Sequence, residues 1–293
     1  MVICAEVFVT FITELSIRLY QFPVYGKSGV MFWSVTLKLA KNQDIDLSKY
    51  LTKLTDLTVI SDNITDCSFL SNLPKLKKLR LECKEITDFT VLKTIPSLTE
   101  LDLSYYKIAD ISSLSELYSL TELNLSCCEL TDISPLSELK QLKRLQLNQN
   151  QIQDISHLQN LSALTHLNLW SNKIVDISAL QKLVLLEELN LSYNNIEDIS
   201  CLKSLNKLRV LNIGNNQVED VSCLKDLTQL ISLDLSYNKI LSVDCLENLG
   251  QLTGLDIRGN QIEYFNINLK KLPHLRYLMM HKNPLKNIPE SIF

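Results

Sequence analysis

The sequence predicts an α/β solenoid, built from short parallel strands that alternate with tight 3₁₀-like turns. Two observations lead to this fold class. From Leu54 onward the chain repeats itself every 22 residues, and a period of this length is typical of solenoids. Within each repeat, an apolar-polar-apolar alternation precedes apolar residues spaced by three, which indicates a strand followed by a tight turn.

The repeats cover residues 54–293, most of the chain. The unit 164–185, LTHLNLWSNKIVDISALQKLVL, carries apolar residues at positions 1, 4, 6, 11, 14, 17 and 20. One unit buries too little apolar surface to offset the entropy of ordering it, so the units must stack. A tenth unit of 23 residues is followed by an incomplete eleventh that starts at Leu275. Full units begin at Leu54, Leu76, Leu98, Leu120, Leu142, Leu164, Leu186, Leu208, Leu230 and Leu252.

Two columns of polar residues supply the turn chemistry in a chain with only 6 Gly and 7 Pro. Position 9 is Asn in seven consecutive units, and an amide there can bond both the turn and the neighbouring coil. Position 13 is Asp from Asp66 to Asp220, with Ser or Thr two residues later. This spacing predicts side-chain capping of a short helical turn. The predicted asparagine ladder consists of Asn150, Asn172, Asn194, Asn216, Asn238 and Asn260, followed by Asn283.

The pattern LxxLxLxxNxIxDISxLxxLxx resembles the 22-residue class of leucine-rich repeats. Two families use this class: the leucine-rich-repeat regulatory subunit of type-1 protein phosphatase and the bacterial internalins. The resemblance implies a right-handed horseshoe, with a parallel sheet on its concave face and short 3₁₀ or helical turns on its convex face. It also implies that the concave face binds another protein. We therefore expect a scaffold that is not an enzyme.

Some segments depart from the repeat. Residues 1–36 show none and are expected to cap the first coil or to be partly disordered, and residues 37–53 hold a degenerate unit. Position 9 is Lys84 and Tyr106 in two early units, where we expect the turns to be less well tied. Cys128 at the same position is a usual substitute for Asn. Because the last unit is incomplete, self-association through the C-terminal end is an open alternative.

Composition excludes some classes of protein. A net charge of −4 argues against a nucleic-acid binder, and no apolar run is long enough for a membrane span. The N-terminal stretch carries Glu6 and Glu14 and lacks a basic start, so we do not expect a signal peptide. The 8 cysteines form no CxxC pair. These features predict a cytoplasmic or nuclear protein with reduced thiols.

Side chains at positions 2, 3, 5, 7 and 8 should face the partner. Exposed Trp and Tyr flanked by charges are typical of binding hot spots. Trp170, with His166 and Tyr193, is the predicted centre, and the alternative is that each is a solitary surface residue. The full set of candidate binding residues is Tyr105, His166, Trp170, Tyr193, Tyr237, Arg80, Glu100, Asp102, Glu122, Arg144 and Glu188.

We expect no cofactor and no metal. Cys201, Cys223 and Cys245 recur at position 16, but no fourth ligand aligns with them, which favours packing beside the turn. The narrower functional expectation is regulation of a type-1 protein phosphatase through contact with its catalytic subunit. Two alternatives are a secreted or surface adhesin of internalin type and an enzyme with its site in residues 1–53.

Overall fold

The computed structural model describes residues 20–25, 31–38, 54–61, 64–83, 85–108 and 110–287. The chain divides into two compact units, residues 1–130 (the N-terminal unit) and 131–293 (the C-terminal unit). Most of the predicted N-terminal cap, nearly all of the degenerate repeat, the turn residue Lys84 and the last six residues lie outside the described residues.

The N-terminal unit begins with a hairpin and continues with parallel strands. Strand β1 (Tyr20–Tyr25) pairs antiparallel with β2 (Met31–Lys38). From β2 onward each strand is parallel to the next. These strands are β3 (Asp56–Ile60), β4 (Lys78–Glu82), β5 (Glu100–Asp102) and β6 (Glu122–Asn124). The 3₁₀ turns that follow β3, β4 and β5 are Ser68–Asn72, Thr90–Thr94 and Ser112–Leu114.

The C-terminal unit repeats one strand and one turn. Its strands pair in parallel with their sequence neighbours. They are β7 (Arg144–Gln146), β8 (His166–Asn168), β9 (Glu188–Asn190), β10 (Val210–Asn212), β11 (Ser232–Asp234), β12 (Gly254–Asp256) and β13 (Tyr277–Met279). The 3₁₀ turns are Ser134–Leu136, Ser156–Asn160, Ser178–Lys182, Ser200–Ser204, Ser222–Leu224, Asp244–Asn248 and Leu269–Lys271. Parallel strands joined by 3₁₀ turns confirm the predicted solenoid class.

The core of both compact units consists of the apolar positions of the repeats. In the repeat 164–185, all seven of these side chains are at most 2 % exposed. Burying each one contributes about 1.5–3 kcal/mol. The seven are Leu164, Leu167, Leu169, Ile174, Ile177, Leu180 and Leu183.

The position 9 amides bond across neighbouring coils. Nδ2 of Asn172 donates to the Leu147 carbonyl of the preceding repeat at 3.0 Å and to the Leu169 carbonyl of its own repeat at 3.1 Å. Its Oδ1 accepts the backbone N–H of Ile152 at 3.0 Å. Each buried amide therefore satisfies three backbone groups that water cannot reach. The same bonds recur at Asn194, Asn216, Asn238 and Asn260.

The position 13 carboxylates cap the 3₁₀ turns, as their spacing predicts. Oδ1 of Asp154 accepts the backbone N–H of Ser156, the first residue of its turn, at 2.8 Å. That N–H would otherwise lack a partner at the turn terminus. The bond favours the ionised carboxylate and so lowers the pKa of Asp154.

The turn at Tyr106 corrects the sequence-based expectation. Tyr106 is only 3 % exposed, and its hydroxyl accepts the backbone N–H of Cys83 at 2.7 Å. Its ring packs edge-to-face on Phe89, with centroids 5.5 Å apart. The prediction that this turn is less well tied was wrong, because the buried tyrosine is long enough to form a hydrogen bond with the preceding coil.

Cys128 replaces Asn at position 9 of the next repeat. Its thiol donates to the Leu103 carbonyl of the preceding coil at 3.2 Å.

Candidate functional site

The outward face of the sheet is formed by positions 3 and 5 of each strand and positions 7 and 8 after it. Position 8 adopts positive φ, between 55° and 69°, in nine repeats. The chain makes its turn out of the strand there, and a non-glycine residue in this conformation carries a cost of about 1 kcal/mol. The sequence pattern did not predict this, because one glycine alone marks the position. The nine are Tyr105, Cys127, Gln149, Ser171, Tyr193, Asn215, Tyr237, Gly259 and Lys282.

Trp170 and Tyr193 form an aromatic pair on the C-terminal unit. They follow neighbouring strands, β8 and β9, at positions 7 and 8. Their ring centroids are 6.1 Å apart at an interplanar angle of 85°, which is the edge-to-face geometry that aromatic rings prefer. Tyr193 is 55 % exposed and Trp170 is half-buried. The structure thus brings together two of the three residues of the predicted hot spot.

His166, the third predicted residue, contacts the side chain of the preceding residue and a side chain of the next strand. Arg144, His166 and Glu188 occupy successive places at position 3. The Nε2 atom of His166 lies 3.4 Å from Oε1 of Glu188, and its Nδ1 lies 2.8 Å from Oγ1 of Thr165. Both ring nitrogens of the imidazole are therefore in contact with a neighbouring side chain.

Tyr237 lies among cationic side chains. Its ring centroid is 5.7 Å from the Arg258 guanidinium and 5.1 Å from the Lys282 ammonium. Its hydroxyl accepts a hydrogen bond from Lys282 Nζ at 3.0 Å. A Cβ atom on Gly259 would lie 2.6 Å from the ring, so glycine is needed beneath it. Sequence reasoning missed Arg258, Gly259 and Lys282, although their register at positions 7 and 8 was readable.

Three charged candidate residues of the N-terminal unit, Arg80, Glu100 and Asp102, form ion pairs within that unit. Lys78 lies 2.6 Å from Glu100, and Arg80 lies 2.8 Å from Glu82 and 4.0 Å from Asp102. The bond with Glu100 raises the pKa of Lys78. These pairs already neutralise the charges that were predicted to meet a partner. Glu122 neighbours Glu100 on the adjacent strand, and Tyr105 is 73 % exposed.

Two aspartates lie side by side at position 5 of β11 and β12. Oδ1 of Asp234 accepts the Ser236 N–H at 2.9 Å, and Oδ1 of Asp256 accepts the Arg258 N–H at 3.1 Å. The second oxygen of Asp256 lies 3.0 Å from Arg258 Nε. Burial raises the pKa of Asp256, and the neighbouring charge of Asp234 adds to this increase.

The cysteine column packs against backbone. The thiols of Cys201, Cys223 and Cys245 donate to the Ile177, Ile199 and Val221 carbonyls of the preceding coils at 3.2, 3.3 and 3.5 Å. Burial raises the pKa of Cys201 and of Cys223 to about 12, so both thiols are protonated at neutral pH.

In the part of the chain that the structure describes, no group of three or more His, Cys, Asp or Glu side chains is placed to hold a metal ion. None of the helices found there is both long enough and apolar enough to cross a membrane.

Comparison with known proteins identifies the family. The family described as leucine-rich repeats (two copies) matches residues 96–138, 140–182 and 184–226, and a second leucine-rich-repeat family matches residues 219–262. The internalin InlF from Listeria monocytogenes is 32 % identical, with 89 % of this chain and 86 % of that chain covered and a TM-score of 0.70. The chain belongs to the leucine-rich-repeat family.

Two further solved structures are similar to this leucine-rich-repeat protein. Internalin C2 from Listeria monocytogenes is 31 % identical, over 65 % of this chain and 82 % of that chain, with a TM-score of 0.61. The functional domain of InlJ from the same bacterium, described as including a cysteine ladder, is 25 % identical over 84 % of this chain and 57 % of that chain, with a TM-score of 0.62. A comparison with curated protein sequences finds no match.

Proposed function

We propose that this leucine-rich-repeat protein is a non-enzymatic scaffold that binds a partner protein on the outward face of its C-terminal unit. The observation that carries the proposal is the edge-to-face pair of Trp170, which is half-buried, and Tyr193, which is exposed. Repeat solenoids generally use an extended sheet face for binding, and exposed aromatic side chains supply most of the energy at such interfaces.

The pair is preorganised for binding. Both residues follow strands whose apolar neighbours, Leu167 and Leu189, are buried in the core. The backbone N–H of Trp170 donates to Asn168 Oδ1 at 3.1 Å, which fixes the chain at this position. The edge-to-face contact between the two rings reduces the side-chain freedom that is lost on association, which favours affinity.

The test is an affinity capture from native cell extract, read by mass spectrometry, with the wild-type chain beside the double variant Trp170→Ala, Tyr193→Ala. Truncating a central aromatic often costs about 2 kcal/mol, roughly a thirtyfold loss of affinity. We expect specific partners to be lost in the double variant. Tyr264→Ala is the matched control, because Tyr264 is 51 % exposed but lies on the turn side at position 13. Partners that ignore the double variant would place the binding surface elsewhere.

Within this proposal, regulation of a type-1 protein phosphatase in the cytoplasm or nucleus is the narrower candidate. It rests on the repeat pattern of the sequence. Recovery of a phosphatase catalytic subunit in the same capture would support this candidate, and its absence from a capture that yields other specific partners would dismiss it.

A second candidate is a surface adhesin of internalin type, favoured by the 32 % identity to InlF. This function requires export, so the two candidates differ in location. A fluorescent fusion of the chain, expressed in its native cell and followed by fractionation, separates them. Signal in the cytosolic fraction supports the regulator, and signal at the cell surface or in the medium supports the adhesin.

A further inference from the structure

Five uncharged side chains on the outward face of the C-terminal unit form what we call the amide surface. Asn190 and Asn212 are register partners at position 5 of β9 and β10. The aromatic pair of Trp170 and Tyr193 lies at positions 7 and 8, and Val210, which is 38 % exposed, lies at position 3 of β10. Aromatic residues without charged neighbours are typical of the centre of a protein interface.

The backbone fixes the direction of both amides. Oδ1 of Asn190 accepts two hydrogen bonds from Ser192, one from its N–H at 3.0 Å and one from its hydroxyl at 2.7 Å. Oδ1 of Asn212 accepts the N–H of Gly214 at 3.0 Å. Because the chain holds each oxygen from two residues further on, the Nδ2 atom of the same amide is directed away from that bond. Its two N–H groups are then the donors that the amide still offers.

These Nδ2 atoms have no hydrogen-bond acceptor among the residues that the structure describes. One strand earlier, Nδ2 of Asn168 donates to Oδ1 of Asn148, at position 7 of the preceding repeat, at 3.2 Å. For Asn190 the corresponding place is taken by Trp170, whose indole nitrogen can only donate. Asn190 and Asn212 are half-buried, and neither is among the residues with a buried, unpartnered nitrogen, so both donors are accessible to a ligand.

Donors of this kind select a ligand group that only accepts hydrogen bonds. A main-chain carbonyl is such a group. A sugar hydroxyl brings a proton of its own, and Oδ1 of Asn190 already accepts two hydrogen bonds and has no lone pair left for it. A charged group would be covered by this surface without an opposite charge to pair with, which is unfavourable. An extended protein segment supplies carbonyl acceptors and side chains together.

We propose that the partner protein docks an extended, uncharged segment on the amide surface. Its main-chain carbonyls accept hydrogen bonds from Asn190 and Asn212, and an apolar side chain packs against Trp170 and Tyr193. This inference rests on the proposed function, because it names the chemistry of the partner at the same face. Because the contact contains no ion pair, its affinity should not depend on salt.

The experiment begins with a selection of random displayed peptides on the full chain. We expect the enriched peptides to share apolar or aromatic residues flanked by uncharged ones. A synthetic peptide of the enriched sequence should bind the full chain in fluorescence anisotropy. Its Kd should change less than about twofold between about 0.05 and 0.5 M NaCl, since screening weakens contacts between charges only.

Asn190→Asp tests the role of the amide donor. The variant replaces Nδ2 by an acceptor that opposes the partner carbonyl, and it should weaken peptide binding about tenfold or more. The fold should be retained, because Asp102 accepts the same two bonds from Ser104, at 2.9 and 2.7 Å, at position 5 of β5. Asn206→Asp is the matched control, since it adds the same charge at an exposed position of the same unit and should leave binding unchanged.

The outcomes separate this inference from the proposed function. Equal binding by wild type and Asn190→Asp, equal weakening by both aspartate variants, salt-sensitive peptides or no enrichment would overturn the inference. Release of captured partners by glycosidase treatment would identify a carbohydrate ligand and overturn it as well. In each of these cases, the capture with the Trp170→Ala, Tyr193→Ala variant still decides the proposed function. Peptides that bind this double variant normally would contradict both.

Discussion

The two units of the molecule close the same turn with different chemistry. In the C-terminal unit, the asparagines from Asn172 onward bond each coil to the one before it. In the N-terminal unit, Tyr106 and Cys128 occupy this position, and each reaches the preceding coil with a different group. The turn therefore requires a buried polar group that is long enough to reach the preceding coil, and the amide is one of several side chains that meet this requirement. An amide forms stronger hydrogen bonds than the thiol of Cys128, which is a weak donor and a weak acceptor.

The outward faces of the two units differ in a related way. On the N-terminal unit, Lys78 and Arg80 bond acidic residues on their own or adjacent strands. On the C-terminal unit, Trp170 and Tyr193 contact each other and remain open to solvent. Exposed ion pairs contribute little net energy to binding or stability, whereas exposed aromatic rings gain energy when covered. This difference supports our proposal that the partner binds the C-terminal unit.

The largest expected difference between the units is in the cost of losing the turn group. Asn194→Ala leaves the Ile174 N–H without its buried acceptor. It also removes one of the two amide donors at the Leu169 and Leu191 carbonyls, which keep their bonds from Asn172 and Asn216. We expect the free energy of unfolding to fall by about 3 kcal/mol, since an orphaned N–H costs about 1–3 kcal/mol and each lost hydrogen bond about 1 kcal/mol. Cys128→Ala removes a weak thiol donor and should cost about 1 kcal/mol. Urea unfolding followed by circular dichroism measures both.

The control for this pair is Asn195→Ala, one residue beyond the ladder, where the side chain is exposed. We expect it to change the free energy of unfolding by less than about 0.5 kcal/mol. Equal losses at Asn194 and Cys128 would show that the two turn groups are equivalent and would remove the contrast between the units.

A smaller effect is expected from the hydroxyl of Tyr106. Tyr106→Phe keeps the edge-to-face contact with Phe89 but leaves the buried Cys83 N–H without an acceptor. We expect a loss of about 2 kcal/mol in the free energy of unfolding, measured in the same urea experiment. Tyr118→Phe, on an exposed tyrosine of the same unit, is the matched control. If both variants were as stable as wild type, the hydroxyl of Tyr106 would make no contribution to the free energy of unfolding.

The fold was predictable because it depends on spacing alone. Leucines at fixed intervals define which side chains face inward, and one repeat predicts the next. The binding surface was less predictable, because its contacts join residues from different repeats. Tyr237, Gly259 and Lys282 are each unremarkable in the sequence, and their contact follows from positive φ at position 8. Likewise, Tyr106 departs from the asparagine pattern at position 9, and the sequence does not show that its hydroxyl reaches the Cys83 N–H of the preceding coil.

The smallest expected effect concerns the aspartates that cap the 3₁₀ turns, which should stabilise the fold in both units. Backbone N–H groups lower the pKa of Asp88 in the N-terminal unit and of Asp198 in the C-terminal unit. Because the folded-state pKa lies below the unfolded value of about 3.9, each cap stabilises the fold at neutral pH. That contribution is lost as the pH falls through the native pKa.

Asp198→Ala tests this agreement. It removes the acceptor for the Ser200 N–H, which is 2.7 Å from Oδ1, and should cost about 1 kcal/mol at neutral pH. Asp88→Ala removes the equivalent bond to Thr90 and should be destabilising in the same direction. Urea unfolding at a series of pH values should show each difference from wild type shrinking below about pH 4. A difference that persisted undiminished in acid would mean that the aspartates act through packing instead of charge. A loss at Asp198 with none at Asp88 would extend the contrast between the units from the turn groups to their caps.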